Sequence, residues 1–225
     1  MEELMQEDTL KQFLPATESW FRKTFGEPTK IQREAWPAIA DGKHVLVSAP
    51  TGTGKTLSAF LVFIDQLGGL AERGELKEEL YVIYVSPLKS LAGDIRENLR
   101  KPLEGIGAEA PGESKAESRP GNPSIGQIQT AIRTGDTPQK ERQRMVKHPP
   151  HILIITPESL YLMLTSKSGR QVLKTAKAII LDEIHALIDT KRGAHLMLSV
   201  ARLDKLCGRR LQRIGLSATI EPLEL

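Results

Sequence analysis

The chain has 225 residues, 40% hydrophobic and 26% charged, which is enough for one large domain or two small ones with a real core. A net charge of only +3 leaves any polyanion partner to be argued from local features, and no apolar run is long enough for a membrane span. The lone cysteine, Cys207, excludes an internal disulfide and reads as a helix-face filler. No Cys/His spacing suggests zinc, and the acidic opening Met1-Glu2-Glu3 is not a signal peptide, so a cytoplasmic setting is expected.

Residues 1–24 read as a helical segment packed on the core, with Leu10, Phe13, Leu14, Trp20 and Phe21 apolar and Pro15 between two turns. Pro28 is positioned to start the next helix, on which Ile31, Ala35, Trp36 and Ile39 form one face and Gln32 sits early. Asp41-Gly42-Lys43 then turns the chain into the β-branched run His44-Val45-Leu46-Val47-Ser48. Next comes Ala49-Pro50-Thr51-Gly52-Thr53-Gly54-Lys55-Thr56, and after it an apolar run at helical spacing over residues 57–67. Strand, glycine-rich turn ending in Lys-Thr, then helix is the setting of a phosphate-binding loop. Backbone N–H groups and the helix dipole would face the anion, Lys55 would reach the outer phosphates, and the Thr56 hydroxyl would hold Mg²⁺. The general pattern opens with Gly where this chain has Ala49.

A strand–helix rhythm follows. Strands are expected at 80–85, 125–132, 151–155, 178–181 and 213–216, with helices near 89–99, 138–146 and 157–164 between them. This implies a mostly parallel sheet with helices on both faces and ligands beyond the carboxyl ends of the strands. Ser86-Pro87, Thr137-Pro138 and Thr156-Pro157 each read as N-cap plus Pro at N1, so several helix starts should line one sheet edge beside Lys89, Arg133, Thr134 and Gly135. Such a row suits the backbone phosphates of a nucleic acid, although plain capping also accounts for each start singly. Residues 105–124, dominated by Gly, Pro, Ala, Ser and Glu, read as a mobile surface insertion.

Ile179-Ile180-Leu181-Asp182-Glu183-Ile184-His185 sets two carboxylates at the end of a buried strand. A P-loop ATPase keeps its Mg²⁺-holding acid there, with a neighbouring acid for the attacking water. Strand alternation would point Asp182 and Glu183 to different places. These residues carry a resemblance. Asp182-Glu183-Ile184-His185 is similar to the DExH box of superfamily 2 helicases, and Ser217-Ala218-Thr219 to their SAT motif. Ala49 to Thr56 matches their motif I, Ala-Pro-Thr-Gly opening included. Phe25 to Gln32 resembles the Q motif, Ser86-Pro87-Leu88-Lys89-Ser90-Leu91 motif Ia, and Thr156-Pro157-Glu158-Ser159 a later nucleic-acid contact. Arg133-Thr134-Gly135-Asp136-Thr137 and Lys191-Arg192-Gly193-Ala194-His195-Leu196 resemble the large helicase-related (Lhr) family more narrowly.

The resemblance implies a RecA-like P-loop NTPase domain over residues 25–225 that binds ATP and Mg²⁺. Gln32 would read adenine. Ala49, Thr51, Gly52, Thr53, Gly54, Lys55 and Thr56 would cradle the phosphates, Thr56 and Asp182 would hold Mg²⁺, and Glu183 would act on the attacking water. His185 with Ser217, Ala218 and Thr219 would couple hydrolysis to strand movement, while Pro87, Leu88, Lys89, Thr134, Gly135, Thr156, Pro157 and Glu158 would mark a track for single-stranded DNA or RNA. The family works with a second RecA-like lobe and C-terminal modules. Neither is expected within these residues, so the chain alone is expected to bind Mg-ATP and turn it over weakly. A nucleotide-gated nucleic-acid binding module and an RNA-remodelling DExH helicase are the alternatives.

Overall fold

The computed structural model describes residues 8–50, 52–87, 91–109 and 127–218. Among them, six strands form one parallel sheet: β1 (Val45–Ser48), β2 (Val82–Val85), β3 (Thr130–Arg133), β4 (Ile152–Ile155), β5 (Ala178–Leu181) and β6 (Gln212–Ser217). Their spatial order is β1-β6-β5-β2-β4-β3, every pairing parallel. The expected α/β class is thereby met. β2, β4 and β5 are buried along their whole length, as their aliphatic runs require for strands covered on both faces.

One core joins α1 (Pro15–Phe25), α2 (Lys30–Ala40), α3 (Lys55–Glu72) and α4 (Leu91–Glu109) to the sheet face carrying Val47, Tyr84, Ile154, Ile180 and Leu216. The other lies under α5 (Gln139–Lys147), α6 (Pro157–Thr165), α7 (Lys167–Leu173) and α8 (Lys191–Cys207), on the face carrying Ile83, Leu153 and Ile179. Edge-on aromatic pairs join the N-terminal segment to α2, with Phe13 5.0 Å and Phe21 5.3 Å from Trp36. Among the described residues no helix is long and apolar enough to cross a membrane.

Several expectations need correction. α2 begins at Lys30, because Thr29 forms a capping box with Gln32 and leaves Pro28 outside. Of the three hydroxyl-Pro pairs, Thr156-Pro157 caps its helix as expected. At α5 the cap position is Pro138; Thr137 instead accepts the Thr134 N–H at 2.9 Å and closes a turn. α4 starts five residues beyond Ser86. Residues 105–109, expected to open a mobile insertion, are instead the last turn of α4, which runs to Glu109 with Ile106 fully buried. Gly105 is there for closeness, not mobility: a Cβ would lie 2.1 Å from Trp20 Nε1. Residues 110–126 fall outside the described residues.

Candidate active site

The register decides which strand ends lie together. Ser48 of β1 is abreast of Ser217 of β6, and Leu181 of β5 abreast of Gly215. This brings the turn leading to Lys55 and Thr56, the acidic pair and the Ser217-Ala218 segment to one half of the sheet's carboxyl edge. Val85, Ile155 and Arg133 are abreast in the other half, so Ser86, Thr156 and Thr134 emerge side by side.

In the first half, Ala49 is buried and its N–H donates to Ser217 O at 3.2 Å. Gly52 and Gly54 adopt φ of 82° and 83°, a conformation that costs a side-chain-bearing residue about 1 kcal/mol or more. At residue 54 a Cβ would also come within 2.8 Å of the Gln32 amide nitrogen. Gln32 is thus buried against the loop, with its Oε1 accepting the Thr29 N–H at 2.9 Å. Thr53 Oγ1 donates to Pro50 O at 2.8 Å. Lys55 begins α3 and curls over its own loop, donating to the carbonyls of Ala49 and Pro50. A phosphate would exchange those carbonyls for a charged acceptor. Thr51 lies outside the described residues.

Asp182 follows β5, its backbone N–H tied to Val85 O at 3.0 Å. Burial raises its pKa; the Tyr84 hydroxyl and the Glu183 N–H, 2.9 Å from Oδ1, oppose that, as does Lys55. The Thr56 hydroxyl and the Asp182 carboxylate are hard oxygen donors, and among the described residues no group of three His, Cys, Asp or Glu could cage a metal. Such a set fits Mg²⁺, which takes one or two protein oxygens and fills the rest with phosphate and water. Glu183 diverges from Asp182 for a reason other than strand alternation. The strand has ended, and Glu183 occupies the left-handed region at φ 51°, strained for a non-glycine residue.

His185 then closes a circuit. Its Nδ1 accepts the Ala218 N–H at 3.1 Å and lies 3.3 Å from Ser217 Oγ, so its proton sits on Nε2, 3.1 Å from Glu183 Oε2. The histidine therefore joins the second carboxylate to the end of β6. Thr219 lies outside the described residues.

In the second half, Thr134 and Gly135 form the turn after β3. Arg142 of α5 holds it, donating to Thr137 O at 2.7 Å, Gly135 O at 2.7 Å and Thr134 O at 3.5 Å. Thr156 and Pro157 open α6, and Glu158 is paired with Arg192 at 2.6 Å. That hydrogen bond holds the Glu158 pKa below its ordinary value. Pro87 ends the described stretch after β2; Leu88 and Lys89 lie outside it.

Three structural residues carry no assignment from the sequence: Tyr84, whose hydroxyl donates to Asp182 Oδ2, Arg142 and Arg192. Tyr84 alone had a readable signal, a phenol in an aliphatic buried strand, which must find a hydrogen-bond partner.

A parallel sheet bearing a glycine-rich Lys-Thr turn, an Asp-Glu-Ile-His turn and a histidine link between the ends of the neighbouring strands β5 and β6 has the arrangement of a helicase domain. The chain belongs to the DEAD/DEAH box helicase family, whose model matches residues 29–225. Within that family it is similar to Lhr helicases. It is 50% identical over 210 residues to the ATP-dependent helicase Lhr-Core of Methanothermobacter thermautotrophicus, covering 93% of this chain and 23% of that protein. The structure of Mycobacterium smegmatis helicase Lhr bound to ssDNA and AMP-PNP superposes with a TM-score of 0.84 at 48% identity, over 96% of this chain and 26% of that one. DEAD-box helicase Mss116 bound to ssRNA and UDP-BeF shares the fold, with a TM-score of 0.75 at 19% identity, over 98% of this chain and 42% of that chain. The chain thus spans about a quarter of the length of the first two relatives.

Proposed function

We propose that this chain is the first motor lobe of an ATP-dependent nucleic-acid helicase of the Lhr type, binding Mg-ATP and single-stranded nucleic acid and coupling hydrolysis to strand movement. The observation that carries the reading is His185 standing between Glu183 and the Ala218 N–H. A carboxylate placed to orient water is thereby tied to the segment leaving β6, so a change at the nucleotide can be felt there. In this reading Gly52, Thr53 and Gly54 curl the backbone around the phosphates, Lys55 leaves the loop carbonyls for them, and Gln32 faces the adenine. Thr56 and Asp182 hold Mg²⁺, which when bound neutralises charge on the β- and γ-phosphates. Glu183 orients the attacking water and takes its proton. Thr134, Gly135, Thr156, Pro157 and Glu158, with the Ser86-Pro87 turn, supply the strand track.

Full activity needs a second lobe from a longer protein, in keeping with the quarter-length match to the Lhr relatives. DNA is the strand named in the Lhr structure, which favours DNA over RNA for this lobe. The test is ATP hydrolysis by this chain with and without single-stranded DNA or RNA, with Lys55→Ala as control. Nucleotide binding that Lys55→Ala abolishes, with turnover slow by itself, is expected. Nucleotide binding unaffected by Lys55→Ala would refute the site, and brisk strand-stimulated turnover would refute the need for a second lobe.

A further inference from the structure

We propose that Tyr84 is a positioning residue of the cation site, orienting the Asp182 carboxylate so that it presents lone pairs to Mg²⁺. The inference rests on the nucleotide-site reading above. Tyr84 lies on β2, outside every stretch to which the sequence assigns phosphate or Mg²⁺ chemistry, and is fully buried. Its ring stacks on Phe60 with centroids 4.8 Å apart and planes at 22°. Phe60 is one turn beyond Thr56 on α3, so the Tyr84 ring packs against the helix that carries Thr56.

The hydrogen inventory decides the orientation. A phenol has one hydrogen and two lone pairs. The Tyr84 hydrogen is committed to Asp182 Oδ2. Asp182 is held from both ends, Oδ2 by Tyr84 and Oδ1 by the Glu183 N–H at 2.9 Å. A residue that only filled space would do as well as Phe.

Tyr84→Phe keeps the ring and its stack on Phe60 and removes one oxygen. Binding of a fluorescent, non-hydrolysable ATP analogue is titrated with Mg²⁺ in wild type, Tyr84→Phe and Lys55→Ala, beside Mn²⁺ binding by electron paramagnetic resonance in the analogue's presence. The expected result is an Mg²⁺ midpoint about tenfold higher for Tyr84→Phe, in line with losses on removing groups that orient metal ligands. Mn²⁺ affinity falls in parallel, while metal-free analogue binding and Tm stay with wild type. An unchanged Mg²⁺ midpoint overturns the proposal, and so does a variant that loses Tm and metal-free binding together, which marks the hydroxyl as structural. Wild-type binding that lacks any Mg²⁺ dependence and is untouched by Lys55→Ala refutes the nucleotide site instead.

Discussion

The two halves of the sheet's carboxyl edge are built differently. At the ends of β6 and β5, side chains form a linked set: His185 bonds to Glu183 beside it and across to the Ala218 N–H, and Asp182 bonds to Tyr84 from the neighbouring strand β2. At β4 and β3, each element is held from behind: Arg142 grips the carbonyls of the 134–137 turn, and Arg192 pairs with Glu158. The first arrangement can transmit a change, because moving one member strains the next. The second presents helix starts and a rigid turn, which suits a ligand recognised by its backbone.

The largest effect that sharpens this contrast is expected from Glu183→Gln. Turnover should fall by about 10²–10⁴, the range for a lost general base, while nucleotide and strand binding persist. Single-turnover hydrolysis beside equilibrium binding reads it, and a nucleotide-gated binding module would hardly change. His185→Ala should leave nucleotide affinity near wild type but cut the stimulation of ATPase by single strands about tenfold, within the usual range of coupling between sites. That assay needs the second lobe present, and intact stimulation would show that the histidine link carries nothing.

Arg142→Ala should act only on the other half. Losing hydrogen bonds from a charged donor that holds the turn should weaken single-strand binding about tenfold at fixed salt, with nucleotide binding unchanged. Weakening of both in equal measure would merge the two halves into one. The smallest effect lies away from both. Asp65 accepts the Leu14 N–H at 2.9 Å, and burial raises its pKa above the ordinary 3.8. The folded state therefore binds this proton more readily than the unfolded one, and stability falls as pH rises from about 3.8 through the raised value. Asp65→Asn keeps an acceptor without the charge. Its Tm should exceed wild type by about 2 °C at pH 7, with the gain vanishing in acid. A gain independent of pH would remove the charge from the explanation.

Legibility divides along the same line. The turn before α3 could be read because its conformation is local: glycines of positive φ and a Lys-Thr at a helix start lie within one short run of sequence. β5 could be read to the residue, because an aliphatic run ending in acids has few other uses. Gly105 was misread, since composition cannot tell a glycine that loosens a chain from one that lets Trp20 approach. Arg142 was illegible, as nothing in an exposed basic helix says which carbonyls it will reach.

The sequence by itself therefore determined the fold class, through its strand–helix periodicity, and the family, through the resemblance of its motifs. Strand order and register decided the rest. Ser217 reaches His185 only because β6 inserts between β1 and β5, and Tyr84 reaches Asp182 only because β2 lies against β5. These pairs are 32 and 98 residues apart in the chain, and such contacts are set by how strands pack, which no local pattern encodes.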